Sequence, residues 1–139
     1  MKKIQLFITM LIISIFTSAQ TPIKLSVECV EKNAGKIIVS IFNSESTYKT
    51  REGYLYLILN SSNEIVSKDI NLPKGNYVIS IYQDSNGNGK LDTNLIGIPK
   101  EKFGFTNYDG KSAPGSFNRH KVEIDEMVDE IVVRLYKIQ

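Results

Sequence analysis

The sequence is poor in residues that crosslink a chain or carry out chemistry. Its 139 residues include one cysteine, one histidine and no tryptophan. The single cysteine, Cys29, cannot form an internal disulfide, so the fold depends on its apolar core. Because no second cysteine is present and no histidine lies near it in sequence, Cys29 is predicted to be a small buried strand residue and not a redox or metal-binding thiol.

An excess of charge of one sign is also missing from most of the chain. The formal net charge is +2, and Lys2 and Lys3 at the N-terminus account for it. Residues 20–139 are therefore formally neutral. Proteins that bind nucleic acid or anionic membranes need a basic excess, so neither is an expected partner.

Only one long apolar run is present, and it lies at the N-terminus. It extends from Ile4 to Phe16, after a basic start and before the small residues at 17–19. These are the three parts of a secretory signal peptide, and the run is too short to span a bilayer. We therefore expect residues 1–19 to be a signal peptide. Residues 20–139 are expected to form one domain without a membrane span, exported to the periplasm or the medium of a bacterium.

Short apolar runs with period-two alternation predict an all-β domain. The predicted strands are Ile23–Cys29, Lys36–Phe42, Tyr54–Leu59, Glu64–Ile70, Tyr77–Tyr82, Phe117–Ile124 and Glu130–Tyr136. The last two strands flank residues 125–127 as a predicted hairpin, and the polar residues 43–53 hold at most a helical turn. Seven short strands indicate a single antiparallel β-sandwich, immunoglobulin-like or transthyretin-like. The turn Leu72–Tyr77 (L-P-x-G-x-Y) resembles the turn before a central strand of transthyretin-like (prealbumin-like) domains.

A cluster of oxygen-bearing side chains follows the fifth predicted strand; we name residues 84–94 the acidic-amide loop. Its pattern matches the front of an EF-hand calcium loop, in which alternate residues of a tight turn point oxygens at one centre. Gly89 stands where the calcium loop has its sharp turn. The expected ligands are Asp84, Asn86, Asn88, Asp92 and the main-chain carbonyl of Lys90.

The end of the calcium pattern is absent. Leu95 stands where an EF-hand carries a bidentate glutamate, so Asn94 and Glu101 are the candidates for the missing oxygens. With few anionic ligands, the expected affinity is weak, about 10⁻⁴–10⁻³ M. The alternative is a metal-free turn, because Asn-Gly pairs also form hairpin turns. Calcium or another hard cation is the favoured interpretation.

A long connection, residues 93–117, separates the fifth and sixth predicted strands; we name it the flap. A connection of this length in a compact domain is commonly functional or disordered, and its aromatic residues argue against disorder. One interpretation is a binding surface with Glu101 and Asn107 as polar contacts. The favoured one is an Ω-like flap over one end of the sandwich, closed by its own aromatic side chains, Phe103, Phe105, Tyr108 and Phe117.

The combined motifs resemble a known family. They are D-x-N-x-N-G-K-L-D-x-N from Asp84, G-x-P-x-E from Gly97, G-F-T-N from Gly104 and P-x-x-F from Pro114. Together they resemble a widespread family of exported bacterial proteins with a domain of unknown function. The resemblance covers nearly all of residues 20–139 and implies a small secreted β-domain with no known activity. The first motif is also similar to calcium loops in the B-type repeats of bacterial surface adhesins, which are transthyretin-like sandwiches.

No catalytic set is evident, and we expect the protein not to be an enzyme. Neither a G-x-S-x-G elbow nor a phosphate-binding glycine loop is present. His120 is predicted to be a surface residue of a strand. The expected function is a binding or accessory module of the cell envelope for an unknown protein or carbohydrate ligand. The alternatives are a metal-free structural domain and a small hydrolase that uses His120 and Glu101.

Overall fold

Alternating apolar residues form two β-sheets that face each other across one apolar core. The structure is a computed structural model, and it describes residues 19–138, so nearly all of the predicted signal peptide lies outside the described residues. The strands are β1 (Gln20–Glu28), β2 (Lys36–Phe42), β3 (Leu55–Asn60), β4 (Val66–Pro73), β5 (Gly75–Asp84), β6 (Phe103–Phe105), β7 (Val122–Ile124) and β8 (Glu130–Arg134). Two short helices are α1 (Glu45–Thr50) and α2 (Phe117–His120).

Sheet 1 contains three strands in the order β4-β1-β8. Strand β1 pairs with β4 in the antiparallel sense and with β8 in the parallel sense. The prediction of an antiparallel sandwich is therefore wrong for the pair β1 and β8. The difference arises because β8 reaches sheet 1 from the other sheet and enters it alongside β1, not from a hairpin with a neighbouring strand.

Sheet 2 contains β3, β2, β5 and β6 in that order, and β7 pairs with the start of β5. The connection after β7 crosses from sheet 2 to sheet 1, so the predicted hairpin between the last two strands is wrong. Strand β6 was not among the predicted strands. It divides the flap and pairs with the middle of β5.

The core between the sheets follows from the alternation along β1, β2 and β5. Alternate residues of these strands point inward and are almost fully buried. The cluster includes Ile23, Leu25, Val27, Ile37, Val39, Ile41, Ile79, Ile81, Ile131 and Val133. Burying side chains of this size supplies the main driving force for folding, in a chain whose one cysteine forms no disulfide.

A second apolar cluster covers part of the outer face of sheet 2. It joins α1, α2 and the flap to β2, β5 and β6 through Phe42, Tyr48, Val78, Phe103, Phe105, Tyr108 and Phe117. Neighbouring rings meet edge to face, as for Phe42 and Tyr48 at 5.4 Å between ring centroids. The aromatic side chains of the flap are therefore buried, as predicted, but they pack on α1 and on sheet 2 as well as on one another.

Three local predictions are wrong. Strand β1 ends at Glu28, and Cys29 is exposed with a positive φ of 60°, so it is not a buried strand residue. Residues 117–120 form α2 and not the start of a strand. His120 is fully buried and not at the surface.

None of the helices among residues 19–138 is long and apolar enough to cross a membrane.

Candidate metal site at the acidic-amide loop

The acidic-amide loop leaves the end of β5, which lies between β2 and β6 in sheet 2. Its first residue, Asp84, still pairs with Lys36 of β2. The turn before β2 packs directly under this point, and a Cβ at Gly35 would collide with the Asp84 carbonyl oxygen. Gly35 also has a positive φ of 73°, which glycine adopts without strain. The start of the loop is therefore fixed by main-chain contacts with the sheet.

The Asp84 carboxylate organises the first half of the loop from inside. It is 3% exposed. Its Oδ1 accepts hydrogen bonds from the main-chain N–H groups of Gly87 (2.9 Å) and Asn88 (3.1 Å), and its Oδ2 accepts one from Gly89 (2.8 Å). A carboxylate offers about four lone-pair sites. Asp84 therefore has at most one lone pair left for a cation, and its main contribution is to hold the turn.

The Glu101 carboxylate plays the same part for the two ends of the loop. It is 7% exposed. Its Oε1 accepts a hydrogen bond from the Ser85 N–H (2.8 Å), and its Oε2 accepts one from the Asp92 N–H (3.2 Å). Glu101 thus joins the beginning of the loop to its end from a position in the flap.

Asp92 is the point at which the amide side chains converge. The Asn86 amide nitrogen lies 2.6 Å from Asp92 Oδ2, and the Asn88 amide nitrogen lies 3.0 Å from both carboxylate oxygens. The amide oxygens face back to the loop, where they accept main-chain N–H groups of Asn88 and Lys90. The structure thus brings three of the predicted ligands together, with Lys90 next to them in the chain.

Asn94 does not join this group. Its Oδ1 accepts hydrogen bonds from the N–H groups of Ile96 and Ile98, both at 3.0 Å. It therefore stabilises the next turn, which residues 93 and 99 close as a β-bridge. The predicted ligand set consequently separates into a converging group, two carboxylates that hold the main chain, and one residue that faces elsewhere.

Two residues that support the loop were not predicted from the sequence. The Tyr82 hydroxyl donates to the Gly89 carbonyl at 3.0 Å. Burial, and then the nearby carboxylates of Asp84 and Glu101, raise the pKa of Tyr82, which keeps this donor protonated. Gln83, 1% exposed, bonds to the turn before β2 through Glu31 and Ala34. In the sequence, only their position just before the loop, at the end of the strand that carries it, could have indicated this supporting role.

The charge around the loop is mixed. A polar cleft of about 520 Å³ lies over it, and Lys100 and Lys137 line this cleft together with Asp92 and Glu101. Within residues 19–138, no group of three or more His, Cys, Asp or Glu side chains is placed to hold a metal ion. A cation here would therefore depend on amide and carbonyl oxygens as well as on Asp92.

His120 packs against Phe105 and Tyr108 of the second apolar cluster. Neither of its ring nitrogens forms a hydrogen bond with these carboxylates among the described residues. Its Nε2 accepts a hydrogen bond from the Gly115 N–H (2.9 Å), so its Nδ1 is the donor to the Thr106 carbonyl (3.1 Å). The ring stacks on Phe105 at 5.3 Å between centroids. Both nitrogens are thus occupied by main-chain groups, and His120 shares no hydrogen bond with Glu101 among the described residues.

Comparison with protein-family models gives a match over most of the chain. The matching model is described as "Uncharacterized protein conserved in bacteria (DUF2141)" and covers residues 25–132. This range begins within β1, ends within β8 and contains the whole acidic-amide loop. Searches of the curated proteins and of the solved structures found no match.

Proposed function

The chain belongs to the family of proteins conserved in bacteria that is designated DUF2141, and we propose that it is an exported binding module whose acidic-amide loop binds a calcium ion. Export is the role of the predicted signal peptide at residues 1–19. The β-sandwich carries the loop, and the bound ion stiffens the adjoining flap. The module has no catalytic activity in this proposal.

The observation that carries the calcium proposal is the convergence of Asn86, Asn88 and Asp92. Calcium binds oxygen ligands at about 2.3–2.6 Å, so neighbouring ligands of one ion lie roughly 3 Å apart. The amide nitrogens of Asn86 and Asn88 stand 2.6–3.0 Å from the Asp92 oxygens. Rotation of each amide would exchange its nitrogen for its oxygen at nearly the same place, and it would give up the hydrogen bonds that these oxygens accept from the Asn88 and Lys90 N–H groups. The three side chains are then spaced as ligands of a single ion.

The remaining ligands in this proposal come from the main chain and from water. The Lys90 carbonyl follows the two asparagines, and Asp84 contributes its last lone pair. Glu101 holds the main chain at Ser85 and Asp92, and this support is its main role in the proposal. Because Asp92 is the main anion and lysines line the cleft, the dissociation constant is expected in the range of about 10⁻⁴–10⁻³ M.

One observation favours a second candidate, a metal-free structural turn. The loop already satisfies its polar groups without an ion, since Asp92 accepts both asparagine amides and Asp84 accepts three main-chain N–H groups. In this alternative the amide-to-carboxylate bonds are the functional state of the loop. Calcium would then compete with them and bring no stabilisation.

We also propose that the sandwich is of the transthyretin-like type, as in adhesin B-repeats. Two features support it: the L-P-x-G-x-Y turn between β4 and β5, and the position of the acidic-amide loop directly after β5. The Tyr77 hydroxyl donates to the Pro73 carbonyl at 2.9 Å, which stabilises this turn.

Calorimetric titration of chelator-treated protein with calcium tests the proposal. The wild type should bind one ion, and its melting temperature should rise with calcium. Asp92→Asn removes the anion at the convergence point and should abolish both effects while the protein stays folded. Ser85→Ala is the matched control, because the exposed Ser85 side chain only contacts the Gln83 carbonyl at 3.3 Å. Absence of heat and of a melting shift at about 10 mM calcium would favour the metal-free turn.

A further inference from the structure

A groove lies on the outer face of sheet 2, beside the acidic-amide loop. Its volume is about 420 Å³, within the range of roughly 300–1,000 Å³ that is typical of small-molecule sites. Strands β2 and β5 form its floor. Leu91, Pro99 and Pro114 form one wall, and the exposed Arg51 stands at the rim.

The depth of the groove comes from two small residues on adjacent strands. Ser40 of β2 and Ser80 of β5 are directly paired across the sheet. Larger side chains flank them, Phe42 along β2 and Tyr82 along β5. Neither serine hydroxyl makes a side-chain hydrogen bond to another residue within the described range. The floor therefore offers two unpaired hydroxyls in a mainly apolar and aromatic hollow.

Arg51 supplies a positive charge at the rim. Its guanidinium carbon lies 4.9 Å from the centre of the Tyr48 ring, so a cation–π contact positions it. No salt bridge joins Arg51 to an acidic residue in the part of the chain that the structure describes. Arg51 ends α1 in the left-handed conformation, with φ of 62°. An arginine without a carboxylate partner beside an apolar hollow is suited to bind an anionic group.

We propose that this groove binds a small organic anion that has a flat apolar body and one carboxylate or sulfonate. The apolar body lies over Ser40 and Ser80 between Tyr82 and the proline wall. The anionic group meets the Arg51 guanidinium. This inference names the ligand class for the binding-module part of the proposed function, and it does not require that the loop binds calcium.

The acidic-amide loop and the groove are nevertheless connected through a shared residue and a hydrogen bond. Leu91 belongs to both, and Tyr82 of the floor donates its hydroxyl to the Gly89 carbonyl of the loop. A cation in the loop would hold this wall in place. Calcium is therefore expected to tighten binding of the anion modestly, whereas the groove keeps its floor and its arginine without the ion.

Two dyes with nearly the same aromatic body test the inference. 8-Anilinonaphthalene-1-sulfonate carries one sulfonate, and N-phenyl-1-naphthylamine carries none. Fluorescence titration of the folded protein should give saturable binding of the sulfonate dye at one site. Arg51→Met should weaken the sulfonate dye roughly threefold or more, as for an exposed ion pair, and leave the neutral dye unchanged. Lys68→Met, which removes an exposed cation from sheet 1, should change neither.

Filling the groove supplies an independent variant. Ser80→Leu and, separately, Ser40→Leu place an apolar side chain on the floor and should weaken both dyes at least about tenfold. Thermal melting checks that each variant is folded, and either serine variant suffices. The inference is overturned if a folded variant that fills the groove binds the dyes like the wild type, or if Arg51→Met and Lys68→Met affect the sulfonate dye equally. All titrations are run in chelator and in calcium: dye affinities that do not change with calcium contradict the coupling of the loop to the groove and leave the groove assignment standing, whereas calorimetry tests the metal site separately.

Discussion

Replacement of Asp84 tests how the acidic-amide loop is built. Asp84→Ala removes the acceptor of three main-chain N–H bonds, at 2.8–3.1 Å. Bonds to a charged acceptor contribute about 1.5–3 kcal/mol each when they are fully protected. Because Gly87, Asn88 and Gly89 are exposed, water can hydrogen-bond to each N–H group in the variant and offsets part of the lost bond energy. We therefore take about 1 kcal/mol for each bond, and about 3 kcal/mol in total.

The expected decrease in the free energy of unfolding is large enough to measure clearly. For a domain of this size, about 3 kcal/mol corresponds to a fall of roughly 12 °C in the melting temperature. Urea denaturation in the presence of chelator isolates the structural effect from any metal. Ser85→Ala should stay within about 0.5 kcal/mol of the wild type, as an exposed substitution does. Equal midpoints for Asp84→Ala and the wild type in chelator would refute the assigned role of Asp84.

The remaining predictions concern other parts of the fold. His120→Phe should destabilise the protein by about 2–4 kcal/mol in urea denaturation, because it leaves the buried Thr106 carbonyl and the half-buried Gly115 N–H unpaired; a neutral result would contradict these hydrogen bonds. Gly104→Ala should reduce the yield of folded protein sharply, because the added Cβ would collide with the Arg134 carbonyl oxygen; an unchanged melting temperature would contradict the close packing of β6 on β8. Hydrogen bonds from Ser26 and Lys24 lower the pKa of Glu130, so its stabilising contribution is present above the usual value of about 4.3 and is lost as the pH falls through the lower folded value. Glu130→Gln should remove this part of the acid dependence of the urea midpoint; an unchanged acid profile would contradict it.

Much of the sandwich could be predicted from alternation. Strands β2 and β5 begin and end within about two residues of their predicted limits, because one face of each is apolar and fully buried. Strand β6 was missed because it has only three residues, Phe103–Phe105. A run that short carries no periodicity, and it is recognised as a strand only through its pairing with β5.

The errors arose where tertiary contacts override local pattern. The alternation of β1 continues to Cys29, but the main chain turns there into a left-handed conformation, which the side-chain pattern does not reveal. The partners of His120 are main-chain groups of Gly115 and Thr106. No sequence motif marks such partners, so its burial could not be predicted.

The candidate site was predicted in part. The spacing of Asn86, Asn88 and Asp92 indicated that they face one centre, and the structure places them together. Spacing alone could not separate the side chains that converge from those that hold the main chain. Whether a carboxylate faces the centre or the main chain depends on the path of the loop, and Asp84 and Glu101 face the main chain.

A crystal structure of the protein grown in about 10 mM calcium distinguishes a calcium-binding loop from a metal-free turn. We expect one ion in the loop, bound by the Asp92 carboxylate and by the amide oxygens of Asn86 and Asn88, with both amides turned from their metal-free orientation. Asp84 and Glu101 should keep their bonds to the main chain. A loop without an ion, in which both amide nitrogens still donate to Asp92, would contradict the claim.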